Sequence, residues 1–225
     1  MFLINPYILQ ASGNPLWNDL QAYYTADNTP NDALGTYNGT LTNGATYGTG
    51  IINQGFSFDG VNDYVDLPSN TLSLSGDFSV SLWFKSTVNN GYYILLSNYK
   101  TGGYGIKIDL RNTNNIRCVI YNVSTYSLLS TTTFNTGQWY HVVFTRKNNT
   151  GSKIYINGTL DNSDSNTVNP NYGSTLYPAI GVSEYNTGQF EQYYNGIIDE
   201  VGIWNRELSA SEVTELYNSG AGLQY

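Results

Sequence analysis

The end of the chain constrains the fold most. Residues 195–225 run from a strand-like stretch, GIIDEVGIW, into a single capped helix. Ser209 and Glu212 stand three apart, so the Ser209 hydroxyl can accept from the Glu212 amide while the Glu212 carboxylate reaches back to the Ser209 amide. Leu208 and Val213 occupy the positions of a hydrophobic staple, and Gly220 offers a stop just past Tyr217 and Asn218. The spacing predicts a strand followed by a helix of about three turns. Nearly everything before it reads as strands. A lone helix on a chain of strands points to a β-sandwich with one accessory helix, and away from most enzyme classes.

The strands are legible by their period. Phe78, Val80, Leu82 and Phe84 share one face of residues 78–85, and Ser79, Ser81, Trp83 and Lys85 the other. Residues 20–25, 92–97, 104–110, 116–121 and 139–146 read as further strands, and residues 56–67 hold two strand pieces about Gly60. Residues 153–161 form a hairpin with Asn157 and Gly158 at its tip, the pair that favours a type I′ turn. Short strands at this spacing predict an all-β sandwich over residues 16–225. Residues 1–15 contain two prolines and no alternating partner nearby. They are expected to form an N-terminal arm that docks on a neighbouring subunit, or a first edge strand.

Composition narrows the function. The chain has 9 basic and 17 acidic residues, a net charge of −8. A phosphate-binding surface needs the opposite balance, so no nucleic-acid partner is expected. An acidic surface with Asp/Asn loops suits cations and neutral sugars. The single cysteine, Cys118, excludes an intrachain disulfide and is expected to be a buried, small apolar residue. The first ten residues carry neither a basic run nor a long apolar one, so neither a signal peptide nor membrane insertion is expected.

Seven stretches carry a family likeness in order: AYYTAD at 22–27, NDALG at 31–35 with NGT at 38–40, FDGVNDYV at 58–65, FSVSLW at 78–83, WYHVV at 139–143, IYING at 154–158 and GIIDEVGIWNR at 196–206. Together they resemble the laminin-G-like, concanavalin-A-type jelly-roll domains over residues 16–222. The resemblance implies a two-sheet antiparallel jelly-roll sandwich with one short C-terminal helix. It says less about function, because this fold hosts lectins, adhesins, enzyme-appended modules and structural domains. It also implies a structural Ca²⁺ between the loop after the first strand and the final strand. That assigns Asp27 and Asp199 by side chain and Asn38 or Gly39 by carbonyl, with Asp59 as the next candidate. Read from the residues alone, Asp27 and Asp32 suit loop Asx turns, and Asp59 suits a turn before Gly60.

Twenty-one tyrosines supply flat, amphipathic surface of the kind that covers a sugar ring. They gather in two regions: Tyr92, Tyr93, Tyr99 and Tyr104, then Tyr185, Tyr193 and Tyr194. These are the candidate glycan-binding residues, although tyrosine also suits strands on a solvated face. Trp83, Trp139 and Trp204 are expected to pack within the domain, and Trp17 to cover an end of it.

Catalysis finds little support. His141 is the only histidine, and strand packing is its expected role. Asp199 and Glu200 are adjacent, so on a regular strand they point to opposite faces and cannot form a glycosidase pair. The expectation is a non-catalytic carbohydrate-binding or surface-attachment module. Its expected setting is a phage virion surface contacting host polysaccharide, oligomeric in its assembly and joined to other virion subunits through residues 1–15. The alternatives are a purely structural virion protein making only protein contacts and a bacterial cell-surface adhesin.

Overall fold

The computed structural model describes residues 13–99, 104–122, 124–170, 177–186 and 189–225. Its strands are β1 (Leu20–Tyr24), β2 (Thr40–Thr42), β3 (Thr46–Thr49), β4 (Gln54–Asp59), β5 (Tyr64–Asp66), β6 (Phe78–Ser86), β7 (Tyr93–Ser97), β8 (Tyr104–Leu110) and β9 (Asn115–Asn122). They continue with β10 (Ser124–Thr133), β11 (Trp139–Lys147), β12 (Gly151–Ile156), β13 (Thr159–Asp164), β14 (Ala179–Ile180), β15 (Ser183–Asn186), β16 (Gln189–Glu191) and β17 (Asn195–Trp204). One α-helix follows, α1 (Ala210–Tyr217).

The first sheet runs β13-β12-β11-β6-β17-β4-β3, with β1 also paired to β17; the second runs β10-β9-β8-β7-β14-β5-β2. The pairings are antiparallel, as in β6 with β11 and β17, and β8 with β7 and β9. The β15–β16 hairpin stands apart. This is the jelly-roll sandwich that the sequence predicts.

Alternation builds the core. Phe78, Val80, Leu82 and Phe84 of β6 meet Ile106, Ile108 and Leu110 of β8 and Ile116, Cys118 and Ile120 of β9 between the sheets. Each such side chain contributes roughly 1.5–3 kcal/mol by leaving water. A second apolar cluster lies on the outer face of the first sheet. There Val213 and Leu216 of α1 pack with Leu16, Tyr23, Val143, Tyr155, Trp204 and Leu208. Trp17 stacks on Trp204 at 6.1 Å and meets Tyr225 edge-on at 5.3 Å.

The capping box at Ser209 and Glu212 forms as expected. The helix is shorter than expected: eight residues, about two turns. Asn218 ends it at φ 47°, taking the left-handed conformation that Gly220 was expected to supply. Asn157 and Gly158, at φ 51° and 77°, make the expected hairpin turn. The long strand β10 escapes the sequence reading, because STYSLLSTTT is mostly Ser and Thr on a sheet edge and carries little apolar alternation. Residues 1–12 of the expected arm lie outside the described residues. Its end is fastened to this same domain: the Asn14 side-chain amide donates to Glu215 at 2.6 Å, and Arg206 donates to the Pro15 carbonyl at 3.0 Å.

Candidate functional site

Three carboxylates meet at one end of the first sheet. A β-bulge in β17 shifts the register between Asp199 and Gly202, with Glu200 at φ 49°. Ile198 and Val201 both face the core, so Asp199 and Glu200 both fall on the outer side. This corrects the expectation of opposite faces, which assumed an unbroken pleat. Asp27, in the loop after β1, joins them. Gln224 bridges two of the three, its amide donating to Asp27 at 2.8 Å and to Glu200 at 3.1 Å.

The loop between β3 and β4 wraps this cluster. The N–H groups of Ile51 and Ile52 donate to Asp199 Oδ2 at 2.8 and 3.2 Å, and Glu200 N–H donates to Oδ1 at 2.9 Å. Gln54 N–H and the Asn53 amide hold Asp27 at 3.0 and 3.1 Å. The Tyr23 hydroxyl donates to Glu200 at 2.5 Å. A Cβ at Gly50 would collide with Asp199 Oδ2, so the loop closes on the carboxylate only because that position is glycine. A cavity of about 500 Å³ opens beside the cluster, lined in part by Ile51, Asn53, Asn218 and Gln224.

The electrostatics are unbalanced. Asp199 and Glu200 are 0% and 2% exposed. Among the described residues no basic side chain forms an ion pair with any of the three. Burial, with the charge of Asp27 added, pushes Asp199 up to about 7 against the pull of its three N–H donors. Burial and then the neighbouring Asp199 push Glu200 well above the carboxylate range.

Calcium takes six to eight oxygens. Among the described residues no three acidic, histidine or cysteine side chains form a ready ligand set. Asp27 and Asp199 therefore need amide or carbonyl oxygens beside them. Asn53 and Gln224 could supply these, since an amide that rotates presents oxygen in place of N–H. Gln54 carries a buried Oε1 with no hydrogen-bond partner. The donor set, all hard oxygens without a counter-charge, fits calcium. The other expected ligands are not brought to it. Gly39 N–H donates to the Pro30 carbonyl, and this glycine packs against Val65 and Leu67 of the second-sheet side; Asn38 precedes it, ahead of β2. Asp59 lies at the far end of β4, roughly 13 Å along the strand from Gly55, which touches Asp199. Its carboxylate accepts from Val61 N–H at 2.8 Å, making the Asx turn. Asp32 likewise holds its own loop, accepting from the N–H groups of Tyr23, Leu34, Thr36 and Tyr37.

The second site is aromatic. On β8, Lys107 and Asp109 alternate with core-facing Ile106 and Ile108, and Arg111 continues the same alternation just past the strand; all three belong to the outer face of the second sheet. The Lys107 ammonium lies 5.2 Å from the ring of Tyr99 and 5.8 Å from that of Tyr121, whose centroids are 4.3 Å apart. Arg117 closes a bidentate pair on Asp109 at 3.0 and 2.5 Å. Farther along, Arg111 lies 4.3 Å over the exposed ring of Tyr92.

The expected tyrosine regions are only partly assembled. Tyr92 and Tyr99 share the sheet but flank opposite ends of β7, and Tyr93 turns toward the core. Tyr194 is fully buried, so it is no ligand platform; it follows a turn that aims it between the sheets, edge-on to Phe58 at 6.2 Å. Tyr193 is half-buried, beside a Tyr64–Phe190 stack at 4.9 Å. The side chains of Tyr104 and Tyr185 lie outside the described residues. Tyr121, Tyr64 and Phe190 are members that the sequence reading missed. Tyr121 was legible as the end of a strand, but its pairing with Tyr99 is a tertiary contact.

His141 packs as expected. Its ring stacks on Trp83 at 5.0 Å, with Tyr217 of α1 over both, and its Nε2 shares a 2.8 Å hydrogen bond with Ser81. Burial pushes it down to about 3, so it stays neutral. Cys118 is buried, its thiol pushed well up by burial.

The Laminin_G_3 family model (concanavalin A-like lectin/glucanases superfamily) matches residues 59–214. The chain belongs to this superfamily. Among solved members of the fold, it is similar to domain 4 of AbnA, a GH43 extracellular arabinanase from Geobacillus stearothermophilus, in complex with arabinotriose. That similarity has a TM-score of 0.74 and 25% identity, over 88% of this chain and 97% of that one. The binding domain of Paraclostridial Mosquitocidal Protein 1 shares the fold at a TM-score of 0.71 and 19% identity, over 91% of this chain and 53% of that one. Human (Homo sapiens) adhesion G-protein coupled receptor D1 is 39% identical over 85 residues, 37% of this chain and 10% of the receptor. The chain thus spans about a tenth of that curated relative's length. Its superfamily fold is one used by carbohydrate- and receptor-binding domains.

Proposed function

We propose that this chain is a non-catalytic carbohydrate-binding module whose sheet end is pinned by calcium. The observation that carries the sugar reading is the outer face of the second sheet, where tyrosine rings lie against cations on a fold similar almost end to end to a domain complexed with arabinotriose. Rings of this kind cover the apolar face of a sugar, and flanking charged and amide groups bond its hydroxyls. Burial supports the absence of catalysis. Asp199 and Glu200 lie under the 223–225 segment, where Leu223 and Gln224 take hydrogen bonds with Tyr23, Asp27 and Glu200. No substrate reaches both carboxylates there.

Calcium at Asp27 and Asp199 would neutralise the cluster and fix the loop of residues 50–53 against β17. The setting proposed is a surface that meets host polysaccharide, with a virion as the carrier; low lysine content and Asn-, Thr- and Tyr-rich loops support it. Calorimetric titration with arabinotriose and with a panel of surface polysaccharides tests the module. Binding in the micromolar-to-millimolar range is expected, and silence across the panel at millimolar sugar would sink the reading.

A further inference from the structure

Of the nine basic residues in the chain, Lys107, Arg111 and Arg117 all project from the outer face of the second sheet. Two of them are spoken for. Asp109, 1% exposed, accepts from Arg117 and lies 3.6 Å from Lys107, and Glu191 of β16 also acts on Lys107. Arg111 has no carboxylate partner among the described residues. Half-buried, it lies over one face of Tyr92, which is 40% exposed, so a planar cation and an exposed ring stand together at the surface.

The loops behind them are firmly built. Arg111 N–H donates to the Asn115 carbonyl at 2.9 Å, and Asn114 N–H donates back to the Arg111 carbonyl at 2.8 Å. Asn90 N–H donates to the Asn114 side chain at 3.1 Å, tying the loop of Tyr92 to the loop of Arg111. Asn90 and Asn114 both sit in left-handed turns, at φ 57° and 62°. From Arg111 to Lys107 the face extends roughly 13 Å along β8, room for a short oligosaccharide.

We infer that the ligand of this face is an anionic oligosaccharide bearing sugar carboxylates, with Arg111 as its anchor and Tyr92 as the adjoining ring platform; this rests on the carbohydrate-binding reading above. A guanidinium matches a carboxylate through two parallel hydrogen bonds, and Arg111 is the cation on this face with that fork unspent. The net charge of −8 does not oppose it. Charges farther away than about 8 Å are largely screened at physiological ionic strength, so the local cation governs.

Calorimetry with tetragalacturonate as the acidic probe and arabinotriose as the neutral one tests the inference. The acidic probe is expected to bind more tightly and to weaken as ionic strength rises. Arg111→Gln is expected to lower its affinity about tenfold and that for arabinotriose much less, with no change in the unfolding midpoint. Amide chemical-shift changes on adding tetragalacturonate should centre on residues 90–92 and 111–114. Equal affinity for both probes, an indifferent Arg111→Gln variant, or shifts centred on residues 50–54 would overturn the anionic assignment and leave the carbohydrate reading standing. Binding of neither probe overturns both.

Discussion

Asp109 and Asp199 are both buried carboxylates, at 1% and 0% exposure, one on the outer face of each sheet. Their surroundings are opposite. Asp109 has Arg117 at 2.5 Å and Lys107 at 3.6 Å, so its charge is matched within the chain. Asp199 has three N–H donors and two further carboxylates, Asp27 and Glu200, for neighbours. The first site is complete. The second has no basic partner among the described residues, and burial pushes both Asp199 and Glu200 up.

The largest effect should come from breaking the complete site. Asp109→Asn leaves Arg117 half-buried without its carboxylate and Lys107 buried with only the more distant Glu191, and about 3 kcal/mol of stability should be lost in a denaturant melt. A loss below about 1 kcal/mol would mean that the pair is no more than a surface bridge.

The incomplete site should respond to calcium and pH instead. Asp199 stands near 7 in the fold against 3.8 in the open chain, so the folded state binds its proton more tightly. Without calcium, the stability from this proton is fully present below about pH 4 and is lost as pH rises through 7. Calcium competes with the proton, so its benefit should grow over the same range. At a hundredfold excess over its Kd it should add about 2.7 kcal/mol near pH 8. Asp199→Asn should abolish the calcium effect and leave only the pH dependence that comes from Glu200. Identical melting curves with and without calcium at every pH would refute the metal reading.

The smallest effect tests the cover. Gln224→Ala removes two hydrogen bonds, to Asp27 and Glu200, and should cost about 1 kcal/mol without calcium. If the amide oxygen is a calcium ligand, the same change should also weaken calcium binding. Unchanged calcium affinity would assign Gln224 to the calcium-free state alone.

The contrast also separates what was legible from what was not. The period-two run of β6 gave its core face, because alternation on a strand translates directly into sides of a sheet. The same rule misled at Asp199 and Glu200. It places neighbours on opposite faces, and a bulge, which inserts one residue without any marker in the side chains, puts them together. Asp27 lies close enough to Asp199 for its charge to act on it. Glu200 joined them through the bulge, and Asn53 and Gln224 from two other segments, and no local pattern announces such a meeting. The tyrosines were countable but not sortable: Tyr194 is buried and Tyr92 exposed, a difference set by which sheet face each loop delivers them to.

By itself, then, the sequence determined the class of fold, the capped helix, the Asn157–Gly158 turn and the core face of β6. Each is fixed by interactions within a few residues, through backbone conformation and side-chain period. Only the tertiary structure decided which acids are neutralised and which are not. Arg117 reaches Asp109 across one strand pair, while nothing basic among the described residues pairs with Asp199. Coulomb energy depends on distance and burial, and these exist only once distant segments have packed.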